Sequence, residues 1–304
     1  MKKDFISIHD RTPAEILGLL DLADAIKKEP GRYRAALSGK TLAMIFEKSS
    51  TRTRVSFEAG MYQLGGLGMF LSSRDLQIGR GEPIADTARV LSRYVDGIMA
   101  RTFAHETVTE LARHATVPVI NGLTDRLHPC QVMADLQTIR EAFGELAGRK
   151  LAYVGDGNNM AHSLMFGGAK TGMSVSIASP EGYEPDAGIV SSARGDAEGT
   201  GASIATTRDP AEAVSGAHVV YTDVWASMGQ EDEARVRREK FAGFTVTESL
   251  MAKAAPDAIF LHCLPAHRGE EVEAAVADGP RSRIFDEAEN RLHAQKAILV
   301  SLMA

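Results

Sequence analysis

Short apolar runs alternate with helical patterns along the chain, and this alternation predicts the fold class. Eight runs have the length of a strand: 40–46, 68–71, 97–100, 117–120, 150–155, 174–179, 218–225 and 258–264. Within each run the residues are nearly all apolar, which is typical of parallel strands that are covered on both faces. Helical patterns such as 52–64 and 83–95 separate the runs. The pattern therefore predicts an α/β protein built on parallel sheets.

A helical segment near the middle of the chain separates two sets of strands. It covers about 130 to 148 and ends at Gly148, directly before a new strand. We therefore expect two doubly wound domains, one over 1–130 and one over 131–285. Ligands of such open sheets bind at the carboxyl ends of the strands, so polar residues at those positions are the candidates for function.

Composition narrows the possible partners. The 304 residues carry a formal net charge of −6 and only 6% aromatic side chains, which argues against binding to nucleic acid. The N-terminus has two lysines but lacks the apolar stretch of a signal peptide, and no later segment has the length of a bilayer span. Cys130 and Cys263 are the only cysteines and suggest no disulfide framework. A cytoplasmic protein without a membrane partner is expected.

The turn after the first predicted strand is dense in hydrogen-bond donors. Ser50, Thr51, Arg52 and Thr53 stand where a helix would begin, directly before an apolar run. The first turn of a helix offers unsatisfied N–H groups and the positive end of the helix dipole, and an arginine can bind two phosphate oxygens at once. An ordinary helix N-cap followed by surface arginines would give the same sequence pattern. The density of donors favours an anion site.

Polar residues also follow the other predicted strands. They are Arg101, His128 with Gln131, Asn158, Asp223 and Cys263. Each has a structural alternative: a loop histidine, an aspartate that caps a helix, or a buried cysteine that only packs. Asp223 could instead anchor an amino group, and an asparagine in a glycine-rich turn could aim its amide at a polar ligand.

Two other kinds of site fit the sequence poorly. A zinc site of His128, Cys130, His262 and Cys263 has suitable residue types, but its spacings differ from those of common structural sites. The turn GDGNN lacks the third glycine of the dinucleotide fingerprint, because Met160 takes its place. A dehydrogenase is therefore disfavoured.

Seven motifs in order resemble the aspartate/ornithine carbamoyltransferase family over nearly the whole chain. They are STRTR, DTARVLSRYVDGIMAR, HPCQVMADLQTI, GDGNN, DVWASMG, HCLPAHR and ENRLHAQKA. The Asp-x-x-x-Ser-Met-Gly and His-Cys-Leu-Pro elements are similar to the ornithine branch of that family. The resemblance implies transfer of the carbamoyl group of carbamoyl phosphate to the δ-amine of L-ornithine, which gives citrulline and phosphate, a step of arginine biosynthesis.

The resemblance also implies a set of site residues. Carbamoyl phosphate would contact Ser50, Thr51, Arg52, Thr53, Gln77, Arg101, His128, Pro129, Cys130, Gln131, Cys263, Leu264 and Arg291. Ornithine would contact Asn158, Asp223, Ser227 and Met228. The residues expected to be catalytic are Arg101, His128 and Cys263. No metal or organic cofactor is expected, since the phosphate is already an activated leaving group.

Architecture and assembly follow from the same resemblance. The active site would lie in the cleft between the domains, and a C-terminal helix over 286–304 would pack back on the first domain. Family members are trimers or multiples of trimers, so Gln77 is expected to reach the site of a neighbouring subunit. The segment 227–243 is expected to be a mobile closing loop, since it is rich in charge.

Two alternatives stay open at this point. A transferase for a related amine, putrescine or N-acetylornithine, would keep the phosphate half and alter the loop 223–229. The other is a non-catalytic binding or regulatory relative, although it would have no reason to retain all five of Arg52, Arg101, His128, Asp223 and Cys263.

Overall fold

Parallel strands build two separate sheets, as the apolar runs predict. The computed structural model describes residues 4–226 and 233–304. Its chain forms two compact units, one of Met1–Gln137 with Glu289–Ala304 and one of Thr138–Ala288. Every strand pair in both sheets is parallel among the described residues. The predicted class, α/β with two parallel-sheet domains, is confirmed.

The first unit has a four-stranded sheet in the order β2-β1-β3-β4. Its strands are β1 Thr41–Phe46, β2 Leu67–Ser72, β3 Gly97–Arg101 and β4 Val119–Leu123. Its helices are α1 Pro13–Lys28, α2 Thr51–Gln63, α3 Ile84–Leu91, α4 His105–His114 and the beginning of α5 Pro129–Phe143, with 3-10 turns at Pro30–Tyr33 and Gln77–Arg80.

The second unit has a five-stranded sheet in the order β7-β6-β5-β8-β9. Its strands are β5 Lys150–Val154, β6 Ser174–Ala178, β7 Ile204–Thr207, β8 Val219–Thr222 and β9 Ile259–His262. The helices are α6 Asn159–Thr171, α7 Ala187–Ala197, α8 Pro210–Val214, α9 Ala234–Lys240, α10 Glu248–Met251, α11 Ala274–Ala277 and the beginning of α12 Ile284–Met303.

Burial of the strands explains which of them the sequence reveals. All residues of β3, β4, β8 and β9 are buried, and each of these strands overlaps a predicted apolar run. The edge strand β7 has the sequence IATT and buries only Ile204 fully. Because three of its four residues are not fully buried and two are threonines, β7 does not appear as an apolar run in the sequence.

Helix α6 is buried along its whole length, and Gly168 allows part of it to pack closely. The sequence contains Gly167 and Gly168 inside it, which are poor helix formers. A Cβ at Gly168 would lie 2.3 Å from Cγ2 of Val175 and 2.6 Å from the carbonyl oxygen of Met173. The glycine therefore allows α6 to approach β6 closely.

The strand order places one switch point in each sheet. Successive strands run outward in opposite directions from the neighbours β1 and β3, and again from β5 and β8. At a switch point the loops after the two neighbouring strands turn to opposite faces of the sheet. This leaves a crevice at the carboxyl ends of the strands, where ligands of open α/β sheets bind. Within the described residues, no helix is both long and apolar enough to cross a membrane.

Candidate functional site

The first switch point carries the donor-rich turn that begins α2. Ser50 is the N-cap in extended conformation, and its Oγ accepts a hydrogen bond of 3.1 Å from the Thr53 N–H. Thr53 is fully buried, whereas Thr51 is exposed. The predicted helix start is therefore present, and its first turn provides hydroxyls and N–H groups for an anion.

A buried arginine organises this turn from the C-terminal helix. Arg291, on α12, is 2% exposed and donates to the Thr53 hydroxyl oxygen at 3.1 Å and to Gln131 Oε1 at 2.6 Å. The Gln131 amide in turn donates to Asp135 Oδ1 at 2.8 Å. Because the Thr53 oxygen accepts from Arg291, its own hydroxyl proton is directed to another acceptor.

His128 lies among the positive charges of this unit. It is 5% exposed and stands directly before α5, while Arg101 is the last residue of β3 and is 9% exposed. Burial lowers the pKa of His128 well below its usual range, and the guanidinium groups of Arg291, Arg101 and Arg52 lower it further. The imidazole is therefore neutral at physiological pH, so one ring nitrogen can donate a hydrogen bond.

Two neighbouring side chains, those of Arg54 and Cys130, are held by other protein groups. Arg54, the second arginine of the turn, is half exposed, pairs with Glu58 at 3.2 Å and lies 3.8 Å from the ring centre of Phe70. The thiol of Cys130 is buried and donates to the Asn121 carbonyl at 3.3 Å, and burial raises its pKa to about 12. Such a thiol is inert, so a contact with ligand would have to come from its backbone.

Two further residues predicted to contact carbamoyl phosphate, Pro129 and Gln77, also lie in the first unit. Pro129 is buried and is the first residue of α5, directly after His128. Gln77 is exposed and begins the 3-10 turn Gln77–Arg80 after β2.

The second switch point brings together an acid, an amide and a thiol. Asp223, directly after β8, is 6% exposed. Its Oδ2 accepts from the Asn158 amide at 3.0 Å, and its Oδ1 accepts from the Cys263 thiol at 3.1 Å and from the Val224 N–H at 2.8 Å. The sequence placed these three side chains after three different strands, and the fold makes them contact one another.

Asn158 has a double role at this point. It caps α6, because its Oδ1 accepts from the N–H groups of Met160 and Ala161, and the Tyr153 hydroxyl also approaches it at 3.3 Å. Burial raises the pKa of Tyr153 well above its usual range, and the Asp223 carboxylate adds to the shift. The phenol therefore stays protonated and can hold the amide in place.

The turn after β9 is fixed by a buried histidine and glutamate. The Leu264 N–H donates to Nδ1 of His262 at 2.9 Å, which leaves the proton on Nε2, 3.1 Å from Glu271 Oε1. Burial opposes ionisation of Glu271, but hydrogen bonds from His262 and from the His267 N–H outweigh it and lower its pKa. Leu264 has φ of 60°, a left-handed conformation that is uncommon for leucine, and it is held beside Cys263.

Sequence reasoning missed an ion pair in this unit. Arg237 lies in the charge-rich segment 227–243, yet it is 6% exposed. Its Nη1 donates to Asp156 Oδ2 and to the Trp225 carbonyl, both at 2.8 Å, and its Nε donates to Glu233 at 3.0 Å. Burial raises the pKa of Asp156 to about 6, and Arg237 opposes the shift. A buried side chain inside a polar run leaves no signal in the pattern.

Several predicted features cannot be compared with the structure. Ser227, Met228 and the start of the expected closing loop 227–243 lie outside the described residues. For the zinc alternative, His128 and Cys130 belong to one unit, and His262 and Cys263 belong to the other. Asp223, His262 and Cys263 do offer one potential ligand atom each within 4.8 Å of one another. In the structure the Asp223 carboxylate accepts from Asn158 and Cys263, and His262 is hydrogen-bonded to Glu271.

Comparison with known proteins agrees with the two-unit arrangement. The carbamoyl-P binding domain of aspartate/ornithine carbamoyltransferase matches residues 3–141, and the Asp/Orn binding domain of the same enzymes matches residues 147–302. An ornithine carbamoyltransferase of Oceanobacillus iheyensis is 62% identical over 304 residues, which cover 99% of this chain and 94% of that protein.

Solved structures give the same result. The structure of ornithine carbamoyltransferase from Pyrococcus furiosus has a TM-score of 0.96 at 55% identity and covers 99% of this chain and 97% of that one. The enzyme from Gloeobacter violaceus has a TM-score of 0.91 at 53% identity, with 100% and 99% covered. The chain belongs to the aspartate/ornithine carbamoyltransferase family.

Proposed function

We propose that this protein is an ornithine carbamoyltransferase, which transfers the carbamoyl group of carbamoyl phosphate to the δ-amine of L-ornithine. The observation that carries the proposal is the pair of switch-point sites. One combines a helix N-terminus with three arginines around a neutral histidine, and the other centres on the buried carboxylate of Asp223. The first suits a phosphate dianion and the second suits the ammonium group of an amino acid.

The phosphate of carbamoyl phosphate would be bound at the start of α2. Ser50, Thr51 and Thr53 supply hydroxyls there, and Arg52 supplies a forked guanidinium that can bind two oxygens. Arg291 donates to Thr53 and Gln131, so its nearest effect is to hold two proposed ligands of carbamoyl phosphate in place. A direct contact between Arg291 and carbamoyl phosphate remains part of the proposal.

The carbonyl group would be polarised by Arg101, His128 and Thr53. When the amine nitrogen attacks the carbonyl carbon, the carbonyl oxygen gains negative charge, and preorganised donors stabilise that charge in the transition state. The C–O bond to phosphate then breaks, the electron pair leaves with phosphate, and the departing phosphate accepts the proton that the nitrogen loses. Arg101 and the neutral His128 are buried beside the anion site, where such donors act most strongly.

Ornithine would be bound by the second unit. The Asp223 carboxylate suits the α-ammonium group, and the amide of Asn158, which Tyr153 and the α6 N–H groups hold in place, suits the α-carboxylate. Ser227 and the Met228 backbone are proposed to add contacts. Cys263 and the Leu264 carbonyl would contact the reacting nitrogens, since they lie on the turn that His262 fixes beside Asp223. That the two units share one cleft stays a prediction of the resemblance.

We propose further that the protein assembles as a homotrimer or a multiple of trimers, with Gln77 completing the site of the adjacent subunit. Large apolar side chains on the surface of the first unit support an assembly: Val55, Tyr62, Leu67, Met69, Val90 and Tyr94 are all more than 40% exposed. A Gln77→Ala chain and an Arg101→Ala chain would each be inactive alone. Reassembled together, they would regain activity at sites that combine both intact residues, whereas no recovery would contradict sharing.

A citrulline assay with three amines tests the proposed function directly. Ornithine, putrescine and N-acetylornithine are compared at equal concentration with saturating carbamoyl phosphate. We expect citrulline from ornithine and at least about tenfold lower kcat/KM for each other amine. N-acetylornithine lacks the free α-ammonium group proposed to pair with Asp223, and putrescine lacks the α-carboxylate proposed to contact Asn158. A preference for putrescine or N-acetylornithine, or no carbamoyl transfer at all, would contradict the proposal.

A further inference from the structure

Three loops of the first unit are joined by a closed circuit of hydrogen bonds and one ion pair, which we call the ring. None of the predicted site residues belongs to it. These loops follow β1, β3 and β4, and they carry Ser50–Thr53, Arg101 and His128 or lead directly to them. The ring begins at Glu47, whose Oε2 accepts the N–H of Phe103 at 3.0 Å. The Phe103 carbonyl accepts the N–H of Asp125 at 2.9 Å.

Lys48 closes the ring. Its ammonium pairs with the Asp125 carboxylate and lies 4.4 Å from the ring centre of Phe103, a cation–π distance. The peptide bond between Glu47 and Lys48 completes the circuit. The lysine side chain is 5% exposed although its partner Asp125 is 60% exposed, so the buried member of the pair is the cation.

The surroundings of Lys48 indicate how it acts. Its charge faces Asp125 and the π-face of Phe103, and both lie on loops rather than in the anion site. A buried ammonium depends strongly on such partners, because leaving it without them would be costly. Lys48 therefore holds its loops together instead of contributing its charge directly to a ligand.

We propose that Lys48 is a positioning residue that holds the three loops of the carbamoyl phosphate site at their working separation. The inference rests on the proposed function and assigns Lys48 a role in the proposed carbamoyl phosphate site. Removing the ammonium opens the ring between the turn of Ser50–Thr53 and the loop that leads to His128. The hydrogen-bond donors on these loops remain present, but their separation is no longer fixed. Affinity for phosphate therefore falls, whereas the proposed amino-acid site in the other unit is unaffected.

The structure provides a matched control in the same sheet. Lys40 and Asp96 form an ion pair of 3.2 Å at the amino ends of β1 and β3, with exposures of 41% and 36%. Lys40→Met therefore removes the same chemical group from the opposite end of the strands. Lys48→Arg keeps the charge of Lys48, and Asp125→Asn weakens the ring from its exposed side.

The experiment measures three quantities for each variant: the Kd of inorganic phosphate by calorimetry, the KM of each substrate, and the thermal midpoint. For Lys48→Met we expect about a tenfold increase in the Kd of phosphate and in the KM of carbamoyl phosphate, with the KM of ornithine within about twofold of the parent. Asp125→Asn changes the same two constants in the same direction, and adding it to Lys48→Met weakens binding no further. Lys48→Arg recovers most of the affinity, and Lys40→Met matches the parent.

Contrary results are equally definite. A folded Lys48→Met protein that binds phosphate like the parent would overturn the inference, and so would an equal rise of both KM values or an equal effect of Lys40→Met. If Lys48→Met does not fold, Asp125→Asn decides, and unchanged phosphate binding in that variant overturns it. A parent that forms no citrulline contradicts the proposed function, whereas a working parent with an indifferent Lys48 contradicts only this inference.

Discussion

The two sheets place their functional groups at the same topological position but with opposite charge. At the β1/β3 switch point, Arg52, Arg101 and Arg291 act together on a buried histidine. At the β5/β8 switch point, the central group is the carboxylate of Asp223, which accepts from an amide, a thiol and an N–H group. The strand order therefore sets where a ligand can bind, and the side chains at the strand ends set the charge of the ligand that suits the site.

The two sites also differ in how they are held. In the first unit a buried guanidinium, Arg291, donates hydrogen bonds to the side chains of Thr53 and Gln131, two proposed ligands of carbamoyl phosphate. In the second unit the positive Arg237 is paired with the carboxylates of Asp156 and Glu233. Arg291 therefore holds side chains of the proposed anion site, whereas Arg237 joins α9 to Asp156, just after β5.

Arg52 and Arg54 provide the largest expected contrast, because they stand two residues apart on one helix. Arg52→Ala should lower kcat/KM by roughly 10²–10³, since it removes a preorganised charge partner of the phosphate. Arg54→Ala should stay within about threefold of the parent, because Arg54 contacts Glu58 and Phe70 on the surface. Steady-state kinetics of both variants measure this contrast. Equal effects of the two substitutions would remove the distinction on which the anion site depends.

Close packing under the second site predicts a smaller effect, on stability. Gly168→Ala should lower the free energy of unfolding by roughly 1–3 kcal/mol, because the new methyl group overlaps Val175 and the Met173 carbonyl. Gly195→Ala in α7 is the control, since a Cβ there meets no atom within 4 Å. It should stabilise the protein by up to about 1 kcal/mol. Denaturant titrations compare the two, and equal unfolding free energies would contradict the packing assigned to α6.

His128 predicts a pH effect that belongs to the first site. Its pKa is lowered in the folded state, so below the usual histidine value of about 6.5 the unfolded chain takes up a proton that the folded chain does not. Stability therefore falls as the pH drops through that value and is unaffected by this group above it. Between pH 7.5 and 5.5 the parent should lose about 1.4 kcal/mol more than His128→Gln does. Equal losses in the two proteins would show that His128 is not held neutral.

Local sequence signals explain which parts of this picture could be predicted. Ser50 and Asn158 stand at helix starts next to apolar strands, and such caps depend on neighbouring residues only. Lys48 could not be interpreted in this way, because its partner Asp125 is 77 residues away and meets it only through the strand order. The buried ion pair of Arg237 could not be predicted for a related reason: its partner Asp156 lies just after β5 and is distant in sequence. Strand β7 was missed because an edge strand needs no continuous apolar run.

The most direct test of the division between the two units is a reciprocal measurement of substrate KM values. Asp223→Asn removes the charge proposed to face the amino acid, so the KM of ornithine should rise at least about tenfold, while the KM of carbamoyl phosphate stays within about twofold. In Arg52→Ala the pattern should be reversed. Asp223→Asn weakening carbamoyl phosphate as much as ornithine, or Arg52→Ala acting on ornithine alone, would contradict the assignment of phosphate to the first unit and amino acid to the second.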